Sequence, residues 1–254
     1  MTRTYDLIFF DADQTLFDFR TAERLALRDL LQDLALPADE EQIAAYSRIN
    51  EEHWRRHENG ELTRDQLVVE RFASFLQHLG EGGLARPEQL KAIAPAAMNR
   101  AYEEALSWHA ELLPEAEETL AALAPQYRLA LVTNGLTSVQ QRRLSLSPIT
   151  RFFEGVFISE ELGYSKPDPR FFDAVFARLE KPVARERCLL VGDSVNADMR
   201  GAYQAGMEAC WFSPRKLDSQ RFPIPILAPD EPGPGLRRQI HRLHELQDWL
   251  LAEA

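Results

Sequence analysis

Asp11 and Asp13 follow directly on the apolar run Leu7 to Phe10, with Ala12 between them and Gln14-Thr15 behind. Thr133, Asn134 and Gly135 follow a second apolar run, Leu129 to Val132. Gly192, Asp193 and Ser194 follow a later one, Cys188 to Val191, with Asp198 shortly after, and Lys166-Pro167 stands upstream of that run. Singly, each has an ordinary explanation. An Asp after a strand caps or turns the chain, Thr-Asn-Gly suits a turn because Asn and Gly tolerate positive φ, and a lone lysine or helix-face aspartate is commonly solvated. The conjunction points elsewhere. Ligands of open α/β sheets bind beyond the carboxyl ends of the strands, and there these carboxylates, a hydroxyl and an ammonium would converge. Carboxylates sharing a cleft repel one another unless a cation holds them. Oxygen ligands of this kind suit Mg²⁺, whereas zinc prefers Cys and His. A divalent cation together with Lys166 would make the cleft locally positive, fit for a phosphate dianion. Asp168 reads as an N-cap and Pro169 as a first helical residue, which sets Lys166 just ahead of a helix N-terminus, where anions are favoured.

The elements that must position these residues are short buried strands. Five apolar runs read that way: Leu7 to Phe10, Leu129 to Val132, Val156 to Ile158, Cys188 to Val191 and Ala209 to Phe212. Amphipathic helical stretches separate the last four, so the fold class is α/β, a doubly wound sheet of parallel strands. The long interval between the first and second runs is helical throughout. Leu27, Leu30, Leu31 and Leu34 keep helical spacing, as do Val68, Phe72, Phe75, Leu76 and Leu79. Asp39 with Gln42 and Thr63 with Gln66 resemble capping boxes, while Asn59-Gly60 and Gly80 to Gly83 read as turns. No strand-helix-strand crossover is that long. Residues 17–112 are therefore expected to form an inserted helical cap domain, and 1–16 with 113–254 the α/β core. Leu236 to Leu251 carries an apolar stripe at Leu236, Ile240, Leu243 and Leu250 and reads as a last helix, preceded by a proline-rich surface loop over 213–235.

Composition narrows the partners. The 254 residues carry a formal net charge of -11, which argues against a nucleic-acid surface. The apolar run near the N-terminus is too short for a signal h-region or a membrane span. Cys188 and Cys210 form no CxxC pair and read as small buried hydrophobes in a reducing compartment. A cytoplasmic protein, monomer or homodimer, with no membrane partner is the expectation.

In order and spacing, Asp11-Ala12-Asp13-Gln14-Thr15-Leu16, Thr133-Asn134-Gly135, Lys166-Pro167 and Gly192 to Asp198 resemble the motifs of the haloacid dehalogenase superfamily of phosphatases. Phe9 to Asp13, Val156 to Gly163, Ala209-Cys210-Trp211 and Leu243 to Leu246 are similar to bacterial pyrimidine 5'-nucleotidases within it. The resemblance implies a Rossmann-like core with a helical cap, a short strand near Gln239 to His241 before the final helix, Mg²⁺ as cofactor and a small phosphate monoester, a nucleoside monophosphate, as substrate. It further implies Asp11 as nucleophile and metal ligand and Asp13 as general acid and base. Asp193 and the Asp13 main-chain carbonyl would complete the protein ligands of the metal. Thr133, Asn134 and Gly135 would bind phosphate, Lys166 would balance charge, and Asp198 would act through water or by orienting Lys166.

One departure stands out: Pro114-Glu115-Ala116 occupies a hinge where relatives usually carry glycine after the proline. For substrate selection the suggestive groups are the His53 to His57 stretch with Asn59, and Phe17 and Phe19 as floor of the cap junction. Rival readings are a sugar-phosphate or phosphoglycolate phosphatase or phosphomutase on the same scaffold, and a non-catalytic phospho-ligand binding module.

Overall fold

Leu7–Phe10 forms β1, every residue of it buried, and it lies near the middle of a six-stranded parallel sheet. The computed structural model describes residues 5–214, 224–228 and 232–252. The other strands are β2 (Arg128–Thr133), β3 (Gly155–Ile158), β4 (Cys188–Gly192), β5 (Glu208–Phe212) and β6 (Gly235–Ile240), in the order β3-β2-β1-β4-β5-β6. The chain works outward from β1 on one side and then on the other. The strand order thus reverses beside β1, and its carboxyl end is the place where such a sheet leaves a crevice. Register supports this, because Phe10 pairs with both Leu131 and Val191, so Asp11 leaves the sheet level with its neighbours' ends.

Alternation along β1 divides the core. Leu7 and Phe9 join a cluster that holds Val132, Phe171, Phe172, Val175, Leu190, Met199 and Trp211, while Ile8 and Phe10 point to the opposite face. Burying a side chain of this size stabilises the fold by roughly 1.5–3 kcal/mol. Cys188 and Cys210 are free and buried in these strands, and burial pushes the Cys188 thiol up to about 12.

Among the described residues six helices surround the sheet: α6 (Ala116–Leu123), α7 (Thr137–Leu146), α8 (Ser159–Leu162), α9 (Pro169–Arg178), α10 (Arg200–Gln204) and α11 (Leu243–Ala252). Preceding them in the chain are α1 (Phe19–Asp33), α2 (Glu40–Glu58), α3 (Arg64–Glu81), α4 (Pro87–Ala92) and α5 (Pro95–Ser107). These five make a separate unit, Phe19–Ala110, while Met1–Asp18 and Glu111–Ala254 make the other. Phe17 and Leu112 belong with the sheet because they pair with each other in an antiparallel bridge. Around that bridge the Asp18 N–H donates to Glu111 O at 2.8 Å and the Leu113 N–H to Leu16 O at 2.8 Å.

Inside the helical unit, α1 buries Ala26, Leu27, Leu30 and Leu31, and α3 buries Phe72, Phe75, Leu76 and Leu79. Thr63 and Gln66 form a complete capping box. Asp39 caps α2 through the N–H groups of Glu41 and Gln42, but the Gln42 side chain turns to His78 instead. A polar network lies among the apolar contacts: Glu23 accepts from Ser47 at 2.5 Å and Asn50 at 2.7 Å, and Arg71 donates to Asn50 and Asn99. Among the described residues no helix is long and apolar enough to cross a membrane.

The C-terminal stretch corrects the helical reading. Gly235–Ile240 is the edge strand β6, and the helix begins only at Leu243. Leu236 and Ile240 are four apart, a spacing that satisfies a helical stripe and one face of a strand alike. Of the intervening arginines, Arg238 meets solvent, as is common for edge strands, while Arg237 donates to the buried Glu208. Part of the proline-rich segment also departs from a free surface loop: Ile224 and Leu227 are buried, and the Leu227 N–H donates to Leu236 O. Residues 215–223 and 229–231 of that segment lie outside the described residues.

Candidate active site

Lys166 is the hub of the carboxyl-end crevice. Its Nζ donates to Asp11 Oδ1 at 2.6 Å, to Asp198 Oδ1 at 2.6 Å and to the Val132 carbonyl at 3.1 Å. An ammonium has three protons, and all are spent. The backbone is fixed as firmly, because the Asn134 side chain accepts from the Lys166 N–H and donates to the Lys166 carbonyl, both at 2.8 Å. Lys166-Pro167 is a cis peptide, and Asp168 caps α9 from Pro169 onward, its side chain accepting from the Arg170 N–H. The side-chain amide of Asn134 is thus committed to Lys166. Thr15 is buried and its hydroxyl lies 3.3 Å from Asp11 Oδ2.

Asp198 reaches Lys166 through a local widening of the chain. Val195–Met199 makes a single π turn, capped by Ser194, whose Oγ accepts from the Ala197 N–H. Asp198 Oδ2 accepts from the Ser194 N–H at 3.0 Å, which leaves Oδ1 for the ammonium. The carboxylate lies so close over Gly192 that a Cβ there would come within 2.3 Å of Asp198 Oδ2. Glycine at the end of β4 is therefore a steric requirement.

Asp13 faces a different set of partners. Arg143 Nη1 donates to Asp13 Oδ1 at 2.5 Å, and Gln140 Nε2 donates to Asp13 Oδ2 at 2.7 Å and to Thr133 Oγ1 at 2.9 Å. Both donors are on α7, and sequence reasoning missed them. In a polar string such as Gln140-Gln141-Arg142-Arg143 the buried members look like the solvated ones. Their spacing of three, which places both on one helix face, was the available signal. Gly135 follows from the same arrangement, since a Cβ there would meet Gln140 Cγ at 2.4 Å.

The carboxylates create the field that a cation would answer. Ligand atoms of Asp11, Asp193 and Asp198 all lie within 4.8 Å of one another. Burial pushes the Asp11 carboxyl up to about 7 even though Lys166 pulls it down and Asp198 adds to the rise. Burial, then the neighbouring Asp11 and Asp198, hold Asp193 well above the ordinary carboxylate range. For Lys166, burial favours the neutral amine, but Asp11 and Asp198 outweigh it and raise its pKa. One ammonium therefore serves three crowded carboxylates. With no Cys or His among them, the donor set fits a hard divalent ion such as Mg²⁺. The Asp13 carboxylate lies with Arg143 and Gln140, so any part it takes in holding an ion falls to its main-chain carbonyl.

The profile of the haloacid dehalogenase-like hydrolases matches residues 5–206. The chain belongs to that family. It is a phosphatase of the haloacid dehalogenase type. Among the relatives of this haloacid dehalogenase-like hydrolase is the HAD-hydrolase YfnB of Bacillus subtilis, 34% identical over 84% of this chain and 86% of its own. The pyrimidine 5'-nucleotidases YjjG of Escherichia coli and PynA of Streptococcus pneumoniae are 31% and 30% identical, over 82% and 85% of this chain and 86% of each of theirs. A ribulose-1,5-bisphosphate 5-phosphatase of Halopiger xanaduensis is 30% identical over 82% of this chain and 84% of its own. In structure, magnesium-bound YfnB superposes with a TM-score of 0.83 at 32% identity, covering 98% of this chain and 99% of that one.

The residues suggested for substrate selection have partners of their own. His53 is buried, its Nδ1 2.7 Å from Ile49 O, Arg55 pairs with Glu52, and Arg56 lies between Glu61 and Glu70. Trp54 is half-buried with the Arg64 guanidinium over its ring. Phe17 is fully buried and carries the Arg143 guanidinium 4.5 Å from its ring centre, so it supports Asp13's partner rather than forming a bare floor. Glu115 adopts φ +70, a conformation natural to glycine, with its carboxylate held by Arg242 and the His244 N–H.

Proposed function

We propose that this phosphatase hydrolyses small phosphate monoesters through a phospho-aspartate on Asp11, with 5'-monophosphates of pyrimidine nucleosides as substrates and Mg²⁺ as cofactor. The observation that carries the reading is the contrast between two neighbouring carboxylates. Asp11 is buried against Lys166, whereas Asp13, with 29% of its side chain exposed, is held by Arg143 and Gln140. Carboxylates in environments that differ this way take different chemical roles.

Asp11 attacks phosphorus and the ester oxygen leaves, with a proton from Asp13 turning the departing alkoxide into the alcohol. Asp13, now ionised, takes a proton from the water that attacks the acyl phosphate. Phosphate departs and Asp11 is regenerated. Thr133 and the main-chain amides of Asn134 and Gly135 bind phosphate oxygens, while Lys166 and Asp198 keep Asp11 oriented. A bound Mg²⁺, held by Asp11, Asp193 and the Asp13 carbonyl, supplies the charge neutralisation that lets an anionic nucleophile meet an anionic phosphate.

The pyrimidine preference rests on the likeness to the two nucleotidases. It is tested by phosphate release from UMP, dUMP, dTMP, CMP, AMP, GMP, phosphoglycolate and several sugar phosphates, with Mg²⁺ and with chelator. Preference for pyrimidine nucleotides supports the reading. A sugar-biased or flat profile keeps the phosphatase and removes the nucleotide assignment. Asp11→Asn should abolish turnover, and near-normal turnover in that variant would sink the covalent scheme.

A further inference from the structure

We propose that Gln140 and Arg143 are positioning residues that hold Asp13 for its proton transfers and tie it to the phosphate-binding hydroxyl of Thr133. The inference rests on the acid-base role of Asp13 given above and adds residues to it.

The contacts close on themselves. Arg143 Nη1 donates both to Asp13 Oδ1 at 2.5 Å and to Gln140 Oε1 at 3.1 Å, and Gln140 Nε2 donates to Asp13 Oδ2 at 2.7 Å. A guanidinium only donates and a carboxylate only accepts, so this circuit permits a single orientation of the Gln140 amide. Both oxygens of Asp13 are engaged, which fixes its χ1 and χ2 together. The holders are themselves immobile. Arg143 is fully buried and Gln140 is 2% exposed, and the guanidinium is backed by the Phe17 ring at 4.5 Å. Phe17 is tied to the Asp13 turn in its own right, since its carbonyl accepts from the Gln14 N–H and its N–H donates to Ala12 O. The clamp and the turn thus move as one.

The link to Thr133 gives the arrangement a chemical purpose. Gln140 Nε2 donates to Thr133 Oγ1 at 2.9 Å, so the one hydroxyl proton of Thr133 must point away from Gln140 and remains for a phosphate oxygen. A single amide therefore sets the proton donor for the leaving group and a hydroxyl for the phosphate.

The test uses the full chain with Mg²⁺, comparing Arg143→Met and the near-isosteric Gln140→Met. Two substrates are needed: an alkyl monophosphate, whose leaving alkoxide needs a proton, and p-nitrophenyl phosphate, whose phenolate does not. Misplacing Asp13 should lower kcat on the alkyl ester about 10- to 100-fold with little change in KM. The first-turnover burst of nitrophenolate should survive. In an Asp13→Asn background, either substitution should then add almost nothing. Loss of the nitrophenolate burst, or losses that multiply with Asp13→Asn, would overturn the proposal. If Arg143→Met fails to fold, Gln140→Met alone decides by the same criteria. Near-normal alkyl ester turnover by Asp13→Asn itself would instead remove the acid-base reading on which the proposal stands.

Discussion

Asp198 Oδ1 lies 2.6 Å from Lys166 Nζ, and the carboxylate's other oxygen takes the Ser194 N–H at 3.0 Å. Asp198 is 1% exposed, and so is Lys166. The pair is therefore a buried ion pair whose remaining valences are filled, the condition under which such pairs are tolerated. Its contribution to the site is orientation, because a lysine anchored from both sides holds Asp11 in one place.

Breaking this pair should harm both fold and activity. Asp198→Ala leaves a buried ammonium with one carboxylate and should cost about 3–5 kcal/mol in denaturant unfolding. Gly192→Ala should imitate its kinetic effect, because the new Cβ occupies the space of Asp198 Oδ2. In a double-mutant cycle the two losses in kcat should be strongly non-additive. Independent, additive losses would show that Gly192 serves something other than Asp198.

Adding Mg²⁺ should raise the unfolding temperature, since the crowded Asp11 and Asp193 carboxylates gain a partner only in the folded state. The expected gain is about 2.7 kcal/mol at a hundredfold excess over Kd. Calorimetry on the wild type and on Asp193→Asn checks this. An equal gain in both would remove Asp193 from the metal site.

Glu23 supplies a pH signature in the helical unit. Burial raises its carboxyl above the ordinary 4.5, despite hydrogen bonds from Ser47 and Asn50 that lower it. The folded state then keeps a proton that the unfolded chain releases. Glu23's stabilising contribution is fully present below 4.5 and is lost as pH rises through the raised folded value. Thermal unfolding from pH 4.5 upward should fall less steeply in Glu23→Gln than in the wild type. Parallel curves would refute the assignment.

Much of the sheet was legible because a buried parallel strand is a short apolar run, and Leu7 to Phe10 or Cys188 to Val191 can hardly be anything else. The site followed from asking what comes after each run. From its own residues β6 stayed hidden for the opposite reason: as an edge strand carrying Arg237 and Arg238 it shows no clear alternation, and its leucine and isoleucine also fit a helix, so only the family resemblance placed a strand there. Gln140 and Arg143 were illegible because burial of a polar side chain depends on partners distant in sequence. Asp13 is 127 positions from one and 130 from the other. The π turn that brings Asp198 to Lys166 had no composition of its own to announce it.

The paired connection formed by Phe17 and Leu112 has a consequence for how the chain is assembled. The two hydrogen bonds beside that bridge bring residues 16–18 and 111–113 together before the helical unit is counted. Entropically, the sheet then meets residues 19–110 as a closed loop with fixed ends, and the cost of a closed loop grows only with the logarithm of its length. A short flexible linker in place of those residues should leave the sheet able to fold alone. The insert can thus lengthen, shorten or be exchanged over evolutionary time while the register of Phe10 against Val191 stays fixed.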